Sequence, residues 1–381
     1  MSQNLQNMFQ TIGEYIETCS EIKPTEPFSS EEWRELVEYI FEDEEDSQIL
    51  SIKDVYLEIV PSFYEKAYVH AEAKANLQDR KRRLEELIVA PQIEQRSEEW
   101  YKHAQEYLTA SQFSDILSVG RTRGKLVLSK TVIPENIQRK HASWSHEMSP
   151  FDWGIRFEQV AKLMYEHVTN TKVRDIGRVV HKDKSLRLAA SPDGIVEHDS
   201  TKNQERLGRL VEFKAPITRS IEHGQVPKNY WHQMQIQMEV ADINCCDYFE
   251  VQLRSSKAKD SFIEGPAQHF GYVYTIGCMQ PPYEDPQPSR YVYSGLDLEI
   301  PDTIIPLNEG ETLLETTRWE LLGYNLVSVL RSPIWFETMK EPLNTFWKDV
   351  GAARTGTFIL PDSKRPLRAK ICLLQEDGSP I

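Results

Sequence analysis

Cysteine is scarce in this chain: five residues in 381 (Cys19, Cys245, Cys246, Cys278 and Cys372), odd in number and scattered. That excludes a dense disulfide framework and the paired spacings of a structural zinc site, and it is the pattern of free thiols in a reducing compartment. Long apolar runs are missing too. Nothing approaches the roughly 18 consecutive apolar residues of a membrane span, and the opening MSQNLQNMFQTIGEYIE has neither the basic nor the apolar part of a secretion signal. No repeat is visible. These absences lead to the expectation of a cytoplasmic protein with no membrane partner. Hydrophobic residues at 40% and charged residues at 27% are ordinary globular proportions.

Positive charge is in deficit overall, with a net charge of −15, which speaks against a nucleic-acid partner until its distribution is considered. Residues 1–60 hold 15 acids and 3 bases, whereas 91–260 hold 23 acids and 25 bases. Six bases (Arg121, Arg123, Lys125, Lys130, Arg139, Lys140) face one acid, Glu135, within 121–140. Polyanion binding follows the local field and not the whole-chain sum.

The hydrophobic period divides the chain. Trp33, Leu36, Val37, Ile40 and Phe41 mark one face of a helix over 31–42, and a longer helix is read over 64–89 before Pro91. Residues 1–90 are therefore expected to form an N-terminal helical region. Residues 96–119 read as helical and the basic stretch 120–147 as a long exposed loop. Trp153, Phe157, Val160, Ala161 and Met164 then form a helical stripe over 151–168. Strands are expected at 173–181, 186–190, 194–197, 207–215, 247–254 and 270–277, with a helix at 229–241. The prolines 281, 282, 286 and 288 suggest a linker-like turn region, and beyond it come a strand-like run at 321–330 and a helix near 333–349. The order predicts an α/β class with a central mixed sheet flanked by helices: a core over 91–290 and a C-terminal extension, 291–381, packing on it.

Two short segments carry the chemical interest. SPDG at 191–194 by itself describes a tight turn. LVEFKAP at 210–216 by itself describes a half-buried strand, with Glu212 and Lys214 on one face and Val211, Phe213 and Ala215 on the other. Together they can bring Asp193, Glu212 and Lys214 to one point. Two carboxylates about 4 Å apart repel by roughly 4 kcal/mol at an effective dielectric of 20, so such a cluster calls for a cation. Oxygen ligands suit Mg²⁺, which would polarise a phosphate and activate a water that Lys214 could orient. Glu158 lies at the margin of the apolar stripe. In YWHQMQIQMEVAD (230–242), Tyr230, Gln233 and Gln237 fall on adjoining turns, while Trp231, Met234, Met238 and Ala241 make the buried face. Either set could equally be a solvated helix face.

WGxxFE (153–158), SPDG, VEFKAP and YWHQMQIQM, in that order and spacing, resemble the PD-(D/E)xK nuclease superfamily, and within it the lambda-type phage exonuclease or YqaJ-like viral recombinase branch. QRSEEWYKHAQEYLTASQF (95–113) resembles that branch's opening segment, and WELLGYNLVSVLRSPIWF (319–336) is similar to a trailing segment of versions from large cytoplasmic DNA viruses. The resemblance implies a restriction-endonuclease-like core and a Mg²⁺-dependent DNA exonuclease, 5′→3′ on duplex ends, serving recombination, repair or viral genome processing. Mn²⁺ is the alternative ion, the location would be the host cytoplasm, and a single-strand annealing protein is the implied partner. It also implies Asp193, Glu212, the Phe213 carbonyl and Glu158 at the metal, Lys214 at the attacking water, Gln233 in the late motif, and Ser111 and Ser191 near a terminal phosphate. Arg121, Arg123, Lys125 and Tyr230 complete the expected DNA-contacting set. Ala104 departs from the pattern, standing where the branch usually carries an arginine for a 5′-phosphate; His103, Lys102 or a base of 121–125 are the substitutes. A DNA/RNA endonuclease of alkaline-nuclease type, a non-catalytic DNA-binding scaffold, and ring or other assemblies all stay open on the sequence.

Overall fold

The computed structural model describes residues 76–90, 98–131, 150–255, 266–279, 287–298 and 305–361, with single positions 38 and 93. The expected helix at 31–42 and most of the 1–90 region, like Arg139, Lys140 and the tail SKRPLRAK, fall outside them.

Seven strands form one curled mixed sheet: β2 (Thr171–Arg174), β5 (Gly194–Asp199), β6 (Leu210–Lys214), β7 (Cys245–Ser255), β10 (Glu311–Leu330), β8 (His269–Cys278) and β9 (Gln287–Tyr293), neighbours in that order. Only β6 and β7 run parallel; every other pairing is antiparallel. A second sheet of three short strands sets β4 (Leu188–Ala190) between β1 (Leu108–Thr109) and β3 (Val179–Val180). β4 leads through Ser191-Pro192-Asp193 into β5, so this bend joins the two sheets.

Helix α5 (Pro150–Thr169) lies on one face of the large sheet. Its stripe Trp153, Phe157, Val160, Ala161 and Met164 is fully buried, as the period predicts, against Val211, Phe213, Phe249 and Val251. Helix α6 (Lys228–Ala241) lies on the other face, where Met234, Met238 and Ala241 meet Leu210, Cys246 and Tyr248. Its far side meets the small sheet and helix α7 (Pro333–Arg354) through Ile236, Val240, Phe336, Leu343 and Phe346. A helix covered on both sides has few solvated positions, which explains why Gln235 and Gln237 are buried rather than exposed.

Helix α1 (Leu77–Val89) is fixed by Arg80, which donates to the Glu205 and Leu207 carbonyls at 2.7 and 2.8 Å. Gly208, with φ of +76°, admits that helix: a Cβ there would stand 3.0 Å from the Arg80 Cβ and carbonyl oxygen. Helix α2 (Glu98–Glu106) precedes β1, and a 3₁₀ turn at Ala110–Gln112 and short α3 (Phe113–Ile116) follow it. No helix among the described residues is long and apolar enough to cross a membrane.

Three expectations need correction. The stretch read as a loop from 120 begins with helix α4 (Arg121–Ser129), because Leu126 and Val127 bury against the α7 side of the core; residues 132–149 lie outside the description. Pro288 sits inside β9 and not in a turn, and β9 is an edge strand, where a missing N–H is tolerated. The strand read at 321–330 extends from 311 and pairs with β7 and β8, so it runs inside the sheet.

Candidate active site

Strand alternation fixes the site. In β6, Val211 and Phe213 point into the α5 core, and Glu212 and Lys214 point to the α6 face. Glu212 is fully buried, and both of its oxygens are engaged by one helix: Gln233 Nε2 donates to Oε1 at 2.7 Å and Gln237 Nε2 to Oε2 at 2.6 Å. The two glutamines are four residues apart, on one face of α6, and grip the carboxylate like a fork. Lys214 also donates to Glu212 Oε1.

Asp193 arrives from the bend after β4. Its Oδ2 accepts from the Phe213 backbone N–H at 2.8 Å, which pins it to the strand bearing Glu212. Lys214 Nζ lies 3.9 Å from the same oxygen and 3.0 Å from the Phe213 carbonyl. One ammonium therefore touches Asp193, Glu212 and the Phe213 carbonyl together.

The charge balance is uneven. Burial pushes the Asp193 carboxyl well above the ordinary range; Glu212 adds to this, Lys214 opposes it, and Glu158 adds further. For Lys214 burial works against the charge, but Glu212 and Asp193 outweigh it and hold the ammonium above the usual lysine value. One lysine thus serves two carboxylates, with a third, Glu158, exposed on α5 but near enough to act through its charge. Tyr230 sets its ring 5.0 Å from the Lys214 ammonium and stacks on Tyr248.

Hard oxygen donors short of positive charge suit a divalent cation. Among the described residues no three carboxylate, imidazole or thiol groups already converge as a metal cage. The donors that fit one are two carboxylates and a backbone carbonyl, now bridged by Lys214. Two buried polar atoms beside the site have no partner among the described residues, Ser191 Oγ and Gln237 Oε1. Ser111 is exposed, with its hydroxyl 3.3 Å from that of Thr109.

The basic residues divide. Arg121 and Lys125 are exposed on α4, while Arg123 pairs with Asp349 at 2.6 Å. Lys130, counted in sequence with the exposed patch, is buried and donates to the Ala104 and Tyr107 carbonyls and to Gln112 at 2.5, 2.9 and 2.8 Å. It is unavailable to a phosphate at the surface. His103 stacks on Tyr107, and burial, aided by the Arg178 charge, pushes its imidazole below the usual value, so it is a poor replacement for an arginine at 104.

Sequence reasoning did not find Arg219, Tyr248 and Glu250. Arg219 and Tyr248 both donate to the buried Glu250, Tyr248 at 2.9 Å. Glu250 sits opposite Lys214 in the β6–β7 register and borders a cavity of about 520 Å³ shared with Arg219, Asn229 and Tyr230. The available signal was the alternation of Tyr248, Glu250 and Gln252 with the apolar Phe249, Val251 and Leu253.

The chain is 26% identical over 193 residues to an uncharacterized protein (R354) of Acanthamoeba polyphaga mimivirus; the match covers 49% of this chain and 34% of that protein, so the chain aligns with about a third of its relative. Crystal structures of an alkaline exonuclease (LHK-Exo) from Laribacter hongkongensis, one of them in complex with dAMP, are similar over 68% of this chain and 95% of theirs, with identities of 18% and 17% and TM-scores of 0.41 and 0.40. Residues 99–244, which hold Glu158, Asp193, Glu212, Lys214, Gln233 and Gln237, match the model of the YqaJ-like viral recombinase domain.

Proposed function

We propose that the chain is a divalent-metal-dependent DNA exonuclease acting on duplex ends, with Asp193, Glu212 and Lys214 as its hydrolytic centre. The observation that carries this reading is the single ammonium bridging two carboxylates, one of them pushed up by burial and repulsion. The match of residues 99–244 to the YqaJ-like viral recombinase domain supports it.

In this reading Asp193, Glu212 and the Phe213 carbonyl hold Mg²⁺, or Mn²⁺ in its place, with Glu158 lending charge from the helix edge. The ion, when bound, supplies Lewis acidity toward a phosphate oxygen and lowers the pKa of a water. The chain's own residues do the rest. Gln233 and Gln237 hold Glu212 in a single orientation, and the Phe213 N–H does the same for Asp193, so little reorganisation is needed at the reaction. Lys214 would orient the attacking water and offset charge growing on the phosphate. Ser111 and Ser191 face the terminal phosphate, Tyr230 flanks the nucleotide, and Arg121 and Lys125 contribute to the field along the duplex, with Arg123 beside them largely offset by Asp349. Polarity is 5′→3′, as the resemblance implies, with a base of 121–125 in place of the arginine absent at Ala104. A single-strand annealing protein is the proposed partner, and the host cytoplasm the place of action.

End-labelled linear duplex tests this directly. Mg²⁺ should support stepwise loss of nucleotides, chelator should stop it, and covalently closed circles should survive. Cleavage of closed circles would favour the endonuclease reading. Undiminished cleavage by Asp193→Ala or Lys214→Ala would remove the assignment.

A further inference from the structure

A second charged site lies at the other end of β4. Arg187 immediately precedes this strand and Asp193 follows it, so about six extended residues, roughly 20 Å at most, separate the two. A cavity of about 360 Å³ opens there, lined by Glu106, Tyr107, Lys184, Arg187 and Arg354. Arg187 adopts φ of +52°, a conformation uncommon outside glycine, and is held by its surroundings. Its guanidinium lies 3.7 Å from the centre of the Trp347 ring, and its Nε donates to the Glu106 carbonyl at 3.0 Å. Arg354 donates to the Lys130 carbonyl at 3.2 Å.

These contacts fix the cations without neutralising them. Among the described residues none of Lys184, Arg187 and Arg354 forms an ion pair with a carboxylate, and the one acid of the cavity, Glu106, is exposed. Burial and the Arg354 charge push Arg187 below its ordinary value, with Glu106 opposing. Lys130 behind the cavity is lowered to about 7 by burial and the charges of Arg178 and Arg187. A fold that gathers like charges and rigidifies one on an indole has the features of a preformed anion site.

We propose that the Lys184–Arg187–Arg354 cavity binds a backbone phosphate of a nucleic-acid strand, at a point remote from the hydrolytic centre. Three features favour a strand over a small free anion. The cavity is open, two of its cations are on exposed residues, and Arg354 reaches the end of α4, which carries exposed Arg121 and Lys125. Choosing nucleic acid as the source of the phosphate rests on the function proposed above. The site would anchor the strand while its end is held at Asp193 and Glu212.

The test is fluorescence anisotropy of the full chain with a labelled single-stranded oligonucleotide, in EDTA, across a salt series. Lys184→Ala/Arg354→Gln should weaken binding roughly tenfold and reduce the slope of log K against log salt by about 0.7, one phosphate contact. Lys184→Ala alone, on an exposed side chain, should weaken it about threefold and guards against misfolding of the double variant. Arg187→Lys, which keeps the charge and loses the planar fork, should also bind less tightly. Wild-type affinity and slope in these variants would overturn the proposal. So would unchanged oligonucleotide binding combined with loss of inorganic phosphate or pyrophosphate binding, which would make the cavity a small-anion site. Because EDTA prevents cleavage, binding loss in an inactive protein would leave this site standing and sink the hydrolytic reading, and the reverse result would do the opposite.

Discussion

The sheet buries two carboxylates on neighbouring strands and treats them in opposite ways. Asp247 of β7 pairs in register with Val211, on the α5 face; Glu212 of β6 pairs with Tyr248, on the α6 face. Asp247 is saturated. Arg206 and Arg209 pair with it, and Tyr165 and Ser328 donate to it, both at 2.7 Å. Burial alone would push its carboxyl up, but the two guanidiniums and these hydrogen bonds hold it at about 2. On the other face Asp193 and Glu212 share one lysine, and Asp193 moves up. A carboxylate supplied with every cation it needs reads as part of the scaffold. A pair left one cation short reads as a place for something the chain does not supply.

Substitution should separate the two most widely. Asp193→Ala should lower cleavage by about 10²–10³-fold or more with the melting temperature little changed, since it removes one of two carboxylates that share a lysine; Lys214→Ala should lower cleavage as much and also lower the melting temperature, since it leaves both carboxylates without their cation. Asp247→Asn should do the reverse. It leaves the buried Arg209 and the half-buried Arg206 without their carboxylate and should cost about 3–5 kcal/mol, read as a shift in urea midpoint, with activity per folded molecule retained.

Acid titration sharpens the contrast because the signs are opposite. The folded value of Asp247 lies below its unfolded one near 3.8, so its stabilisation, roughly 2 kcal/mol, is complete above that value and lost as pH falls toward about 2. Asp193 has its folded value raised, so without metal the folded state holds a proton that the unfolded chain has released. Stability should then fall as pH rises from 3.8 through the raised value, and Mg²⁺ should restore it at neutral pH. Urea midpoints across pH, with and without Mg²⁺, check both. The smallest effect is expected for Gln237→Met, which leaves Glu212 with the Gln233 and Lys214 bonds; activity should drop about tenfold and stability by about 1 kcal/mol.

Much of this arrangement was legible in the residues. The stripe on α5 and the alternation of Val211, Glu212, Phe213 and Lys214 follow from periods of 3.6 and 2, and both fix which face meets which layer. Asp193 and Glu212 could be suspected of meeting because Ser-Pro-Asp-Gly makes a bend and Glu-x-Lys shares one face of a strand. What stayed hidden depends on long-range partners. Helix α6 is buried on two sides, so amphipathic reasoning could not tell that Gln237 faces a carboxylate. Lys130 looks like any surface base until the carbonyls of Ala104 and Tyr107 close around it. The placement of β10 between β7 and β8 is a sheet-level choice that no local period encodes.

Calorimetric titration of the full chain with Mn²⁺ at neutral pH tests most directly whether the Asp193–Glu212–Lys214 cluster lacks a cation. Binding that releases protons in wild type, and is lost in Asp193→Asn and in Glu212→Gln while Asp247→Asn retains it in the folded fraction, is the predicted result. No binding to wild type, or binding that survives both substitutions, would contradict it.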